Sequence, residues 1–282
     1  MDILYLIGDV SHTNHRELRY SLRSIEKHGI NVDRVFVCGY CPDFLSDEVI
    51  KITHGKQKSF DNFSKNRNIY SSILYAVETT DIGIKHNGEF LISMDDHFYC
   101  MNVDFNRYPF FAKDYLNRFH RYLLPNMLDY TKSSVDYQQI LVNTYHMCLN
   151  NNLNIINLTL HRNMHMNRYI LREMDNLNSE ILNSDKNAVE AMCVALNYRL
   201  TKYPFKYEVV IDVKTNNVDE LSNLINNKQI HVFSTNDFEL NSDIDNFLFS
   251  LYPHKSKYEK NDIDKPKEGG KNEMLEKTSS SN

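Results

Sequence analysis

The sequence predicts an α/β protein with a mixed, mainly parallel sheet flanked by helices and a more helical C-terminal half. Three observations carry this. Short apolar runs, Ile3-Leu4-Tyr5-Leu6-Ile7, Val35-Phe36-Val37 and Phe90-Leu91-Ile92-Ser93-Met94, have the near-continuous pattern of strands buried on both faces. Longer segments with apolar residues three and four apart lie between them, as crossover helices joining parallel strands would. From about residue 110 the helical spacing dominates.

Along the chain, the first strand stops at Gly8-Asp9. Asn14 is then placed to cap a helix through Leu18, Leu22 and Ile25 that Gly29 ends. A second strand follows at Arg34-Val35-Phe36-Val37, then a turn with Pro42, then an extended stretch at Val49-Ile50-Lys51-Ile52. Residues 62–79 read as a helix with Ile69, Ile73, Leu74 and Val77 on one face. The strand at 90–94 runs straight into Asp95 and Asp96. Helices are expected over 111–123, 135–150 and 186–200, and strands at 207–211 and 231–234. Residues 260–282 turn Lys-, Glu-, Gly- and Ser-rich without periodicity and read as a disordered tail.

Composition narrows the function classes. The formal charge of -5 over 282 residues excludes a strongly basic nucleic-acid coat and leaves room only for a local basic groove. Only 8 glycines are present, and neither G-x-G-x-x-G nor G-x-x-x-x-G-K-[ST] occurs, so a glycine-rich phosphate cradle is not expected. No apolar stretch approaches the ~20 residues of a membrane span. Residues 1–12 carry no basic region or small-residue cleavage site, and the 5 scattered cysteines suit a reducing compartment, so a cytoplasmic location is expected. Cys38-Gly39-Tyr40-Cys41 has redox spacing, but Pro42 follows at once and the helix that would activate a thiol is missing.

Four constellations could carry chemistry. Asp95-Asp96, in Ser93-Met94-Asp95-Asp96-His97-Phe98-Tyr99, puts two carboxylates at the end of an apolar strand, where their mutual repulsion is relieved by a divalent cation such as Mg²⁺ or Mn²⁺. The alternative is a solvated acidic turn. Arg16, Arg19 and Arg23 share a helical face near an N-terminus, either to bind phosphate or to pair with Glu17 or Glu26. Lys65-Asn66-Arg67-Asn68 opens the helix before the acidic strand and is either a phosphate contact or an ordinary polar face. His161 and His165 stand four apart, as metal ligands on one helical face or as a surface pair, and no H-E-x-x-H glutamate accompanies them.

In order, several segments resemble a family of phage and bacterial glycosyltransferases related to capsule and lipopolysaccharide sugar transferases. They are Asn14 with residues 17–25, residues 35–45, Lys65-Asn66-Arg67, residues 93–99, His161-Arg162-Asn163-Met164 and residues 251–259. The resemblance implies a GT-A-type, Rossmann-like fold, with residues 1–105 as a nucleotide-sugar-binding half and 106–259 as the acceptor side of the same domain. It implies a nucleotide-diphosphate sugar donor and Mn²⁺ or Mg²⁺. Asp95 and Asp96 would match the family's acidic metal motif, here Met-Asp-Asp rather than Asp-x-Asp, and His161 its late histidine. Gly8, Asp9, Val10, Ser11, Arg19, Lys65, Arg67 and Asp95 would line the donor site. Where the family often has proline two residues after that histidine, this chain has Asn163.

Such a reaction leaves a nucleoside diphosphate whose charge a metal and nearby cations stabilise, and an inverting course also needs a base. Glu190 is the expected base, with His97 and Asp136 as competitors. The acceptor is either DNA carrying a hydroxylated base or a glycan hydroxyl. Basic clusters at Arg107, Lys113, Arg118 and Arg121, and at Arg162, Arg168 and Arg172, are the expected phosphate track for DNA. A nucleotidyltransferase also puts metal-binding aspartates at a strand end, and a non-catalytic sugar-binding protein is the remaining alternative.

Overall fold

The computed structural model describes residues 1–8, 11–54, 62–115, 137–158, 162–182, 189–210, 213–236, 238–263 and 265–266. The chain begins with β1 (Asp2–Ile7), α1 (Arg16–His28), β2 (Gly29–Ile30), β3 (Val35–Gly39), β4 (Val49–Thr53), α2 (Asn62–Thr79) and β5 (Glu89–Ser93). Next come β6 (His97–Tyr99), β7 (Val103–Asp104), β8 (Phe110–Ala112), β9 (Asp114–Tyr115), α3 (Tyr137–Asn150), β10 (Ile156–Asn157) and β11 (Met164–Asn167). The remainder holds α4 (Arg168–Glu173), α5 (Asp175–Leu182), α6 (Ala191–Lys202), β12 (Tyr207–Val209), α7 (Val218–Asn226), β13 (Val232–Ser234) and α8 (Asp243–Leu251).

A five-stranded sheet in the order β11-β5-β1-β3-β4 forms the centre, parallel except for β11, which runs antiparallel to β5. The apolar runs are strands for the reason their composition gives: both faces of the sheet are covered. Leu4, Leu6, Phe36, Phe90, Ile92, Met164 and Met166 pack with Tyr70, Ile73 and Val77 of α2 and with α5 and α6. Ile3, Tyr5, Val35, Val37 and Leu91 face the other way, onto Leu18, Leu22 and Ile25 of α1. Each such fully buried side chain contributes about 1.5–3 kcal/mol. A third cluster joins Tyr20 of α1 and Phe98 of β6 to β13, α7 and α8 through Phe233, Leu221 and Leu248.

β11 belongs to the central sheet and β13 pairs with β6, so strands from 106–259 pair directly with strands from 1–105. Gly39 closes β3 at φ 106°, and a Cβ there would lie 2.3 Å from the Ile7 carbonyl oxygen. Only glycine lets the ends of β1 and β3 come this close.

Several expectations need correction. Asn14 does not cap α1: Asn14 and His15 both sit in the left-handed region, at φ 52° and 56°. Ser11 Oγ instead accepts from the backbone N–H groups of Thr13 and His15 at 3.2 and 2.8 Å. The helix expected at 111–123 begins as strand, with β8 and β9 covering 110–112 and 114–115, and residues 116–136 lie outside the described residues. The expected helical face carrying His161 and His165 is strand at 164–167, because Met164 and Met166 alternate into the core. Residues 260–263, expected to open the tail, belong to the folded body: Lys260 N–H donates to the Phe44 carbonyl at 2.7 Å, and Asn261 bonds Arg19. Among the described residues no helix is long and apolar enough to cross a membrane.

Candidate functional site

Tyr5 lies opposite Ser93 and Ile7 opposite Gly39, so β1, β3 and β5 end at one edge of the sheet. Ligands of open parallel sheets bind beyond this carboxyl edge. Asp95 and Asp96 sit there, half-buried, in the turn between β5 and β6, where His97 N–H donates to the Met94 carbonyl at 3.3 Å. Gly8 follows β1, and a Cβ built on it meets nothing within 4 Å. Asp9 and Val10 lie outside the described residues.

The turn is held from beneath by His97, which is wholly buried. Met94 N–H donates to its Nδ1 at 3.4 Å, and Nε2 lies 3.8 Å from Asp96 Oδ1. The Asn163 amide meets the same Nδ1 at 3.4 Å. A ring nitrogen that accepts from Met94 calls for the amide NH₂ of Asn163 rather than its oxygen, the interchange to which such amides are prone.

A third carboxylate arrives from α1. Thr13 Oγ1 donates to Glu17 Oε2 at 3.2 Å. Burial first, then the charges of Asp95 and, more weakly, Asp96 push the Glu17 carboxyl up to about 7, against the Thr13 hydrogen bond. The helix is stitched in place: Ser21 Oγ donates to the His97 carbonyl at 2.6 Å, and Tyr99 N–H donates to Ser24 Oγ at 3.1 Å. Sequence reading treated Glu17 only as a partner for arginine. The available signal was its place in the first turn of the helix after β1, whose N-terminus points at the strand ends. The paired carboxylates of Asp95 and Asp96 are hard oxygen donors of the kind that suit Mg²⁺ or Mn²⁺, whereas Glu17 does not come close enough to form a three-carboxylate cluster with them. His161 lies outside the described residues.

Beside this edge is a cavity of about 530 Å³, whose lining includes Asn14, His15, Arg19, Tyr40, Phe44 and Asn261. The rings of His15 and Tyr40 stack at 5.0 Å, and the Arg19 guanidinium lies 3.9 Å from the centre of the Phe44 ring. The arginine stripe, read as either a phosphate site or a set of ion pairs with Glu17 or Glu26, pairs instead with the C-terminal segment. Arg16 pairs with Asp245 at 2.8 Å, Arg19 with Glu259 at 3.0 Å, and Arg23 with Glu259 and Asp262 at 2.8 and 2.7 Å. Arg19 therefore reaches the cavity wall with its hydrogen bonds directed to Glu259 and Asn261.

The other expected residues scatter. Lys65 and Arg67 open α2, Lys65 being described by its backbone alone. Glu190 is buried at the head of α6, its N–H donating to Thr144 Oγ1 at 2.8 Å. Asp136 lies outside the described residues. His165 is a structural residue: its Nε2 meets the Tyr108 carbonyl at 2.7 Å, and burial pushes it down to about 4. The second basic cluster does not form a phosphate track. Arg168 is buried and donates to the carbonyls of Ile82, Val77 and Thr80 at the end of α2, where Arg172 joins it. Arg162 lies 5.0 Å over the Phe111 ring. Arg107 and Lys113 are exposed, and Arg118 and Arg121 lie outside the described residues. Burial pushes the Cys38 thiol up to about 12 and the Cys41 thiol upward as well, the opposite of a reactive pair. Comparison with protein-family models gives no match, and comparison with curated proteins gives none either.

Proposed function

We propose that the chain is a metal-dependent glycosyltransferase of GT-A type, moving a sugar from a nucleotide-diphosphate sugar to a hydroxyl acceptor. The observation that carries this reading is the Asp95-Asp96 pair in the turn that follows β5, at the carboxyl edge of a mainly parallel sheet. Asp95 and Asp96 would hold Mn²⁺ or Mg²⁺. A divalent ion there supplies charge stabilisation for a departing diphosphate. His97, wholly buried with Nε2 3.8 Å from Asp96 Oδ1, would act as a positioning residue that holds Asp96 from the core. Glu190 remains the residue to test for taking the acceptor's proton.

For the acceptor we favour a glycan hydroxyl over a base in DNA. Arg16, Arg19, Arg23 and Arg168 are committed to carboxylates and carbonyls inside the protein, which removes them from any phosphate track. All five cysteines are thiols, in keeping with a cytoplasmic enzyme.

The test is incubation of the full chain with a panel of nucleotide-diphosphate sugars, with Mn²⁺, Mg²⁺ or chelator, reading release of the nucleoside diphosphate. Metal-dependent release that Asp95→Asn and Asp96→Asn abolish supports the reading. If no donor is bound or hydrolysed, and the double variant leaves every ligand affinity unchanged, the reading is wrong. Activity on modified DNA falling steeply with salt would overturn the choice of a glycan.

A further inference from the structure

The opposite end of the sheet holds a second set of candidate ligands. Asp2 opens β1, Asp33 precedes β3 and His86 precedes β5, so the parallel order brings all three to the amino-terminal edge. One ligand atom from each lies within 4.8 Å of the others. His86 Nε2 stands 3.5 Å from Asp33 Oδ2 and 3.8 Å from Asp2 Oδ1. It is shielded from solvent and makes no hydrogen bond among the described residues. These gaps are long for hydrogen bonds. They are close to the separation of about 3.4 Å between nitrogen and oxygen ligands sharing one tetrahedral ion with metal–ligand bonds of about 2.0–2.2 Å.

The surroundings are those of an oriented ligand set. Asp2 is fully buried, and its Oδ2 accepts from Arg34 Nη2 at 2.7 Å and from Gly83 N–H at 2.8 Å. Arg34 Nε donates to Oδ1 at 3.1 Å, the oxygen that lies 3.8 Å from His86 Nε2. Metal-bound carboxylates are commonly fixed by such outer hydrogen bonds. The turn bearing His86 is set by Gly83 at φ 76°, where a Cβ would meet the Gly88 carbonyl oxygen at 2.6 Å. Three cations compete for these carboxylates: Arg34 pairs with Asp2 at 2.7 Å, the Met1 ammonium interacts with Asp2 and Asp33, and the mostly exposed Lys85 has Nζ 3.5 Å from Asp33 Oδ2.

We infer that Asp2, Asp33 and His86 form a divalent-metal site for a Zn²⁺-like ion, tying together the segments that enter β1, β3 and β5. One imidazole and two carboxylates favour Zn²⁺ over the oxygen-seeking Mg²⁺ and leave a coordination position for water. The inference does not depend on the transferase reading, because the site is at the other end of the sheet from Asp95 and Asp96.

The experiment is Zn²⁺ titration of the chelator-treated full chain by calorimetry, with thermal unfolding in parallel. His86→Ala and Asp33→Asn are compared with their parent, and circular dichroism checks that each is folded. Asp2 is left intact because its loss would strand Arg34. In the Asp95→Asn, Asp96→Asn background, which removes the other divalent site, one Zn²⁺ equivalent should bind and weaken by about tenfold or more when His86→Ala or Asp33→Asn is added. Lys85→Ala should bind at least as tightly as that parent, and the parent should retain the thermal shift. Absence of Zn²⁺ binding to the parent, or the same stoichiometry and affinity when His86→Ala is added, overturns the proposal.

Discussion

Arg23 grips Glu259 through two guanidinium nitrogens, Nε to Oε2 at 2.8 Å and Nη2 to Oε1 at 3.0 Å, and both side chains are almost completely withdrawn from solvent. Arg19 reaches the same carboxylate, which also accepts from the backbone N–H and the hydroxyl of Ser256. One carboxylate thereby binds α1 to the segment that follows α8. That segment meets the Pro42–Ser46 loop as well, through the bridge between Leu45 and Glu259.

Removing this anion leaves Arg19 without its carboxylate partner and Arg23 with only the exposed Asp262. Glu259→Gln keeps the size and loses the charge, and it should lower the unfolding free energy by about 3–5 kcal/mol in urea titrations. Asp262→Asn, at the exposed end of the cluster, should cost less than about 1 kcal/mol. Equal effects of the two substitutions would refute the buried clamp.

Gly39 and Gly8 make a matched pair at the edge of the sheet. Gly39→Ala forces a Cβ onto the Ile7 carbonyl at positive φ and should destabilise the fold by more than about 1 kcal/mol. Gly8→Ala meets open space and should leave the denaturation midpoint unchanged, so any loss of nucleotide-sugar binding in it reports contact with the ligand. A Gly39→Ala protein as stable as wild type would show that β1 and β3 do not end as described.

The central sheet was legible because β1, β3 and β5 are buried on both faces, and burial on both faces writes itself as an apolar run. β11 was not. Met164-His165-Met166-Asn167 puts a histidine on one face and methionines on the other, and four residues are too few to separate strand from helix by spacing. Asp95 and Asp96 were legible as an acidic strand end, whereas Glu17 feels their charge only through the placing of α1. The arginine stripe misled for a related reason. Its partners Asp245, Glu259 and Asp262 are more than two hundred residues away, and local spacing holds no trace of them.

The buried Asn163 amide meets His97 Nδ1 at 3.4 Å. Asn163→Leu removes that partner in a buried setting and should cost about 1–3 kcal/mol of stability. Because His97 supports Asp96, the same change should weaken Mn²⁺ affinity at the Asp95-Asp96 turn by about tenfold or more, with Asn163→Gln giving partial rescue. Stability lost without any change in Mn²⁺ affinity would confine Asn163 to packing.

His165 makes the fold sensitive to acid. Its ring stacks on Phe110 at 4.2 Å and contacts the Tyr108 carbonyl, with Glu89 and Arg199 as the charged groups around it. Burial holds its pKa at about 4, the Tyr108 hydrogen bond and Glu89 opposing and Arg199 adding to the fall. The unfolded chain, with a histidine pKa near 6.5, binds the proton more readily, so the folded state favours the neutral ring. This contribution is complete above pH ~6.5 and is lost as the pH falls towards ~4, on the order of 3 kcal/mol over that window. His165→Gln keeps an N–H donor for Tyr108 and removes the titration. Urea midpoints measured from pH 7 to pH 4.5 should therefore fall more steeply for wild type than for the variant, and parallel curves would rule His165 out as the source.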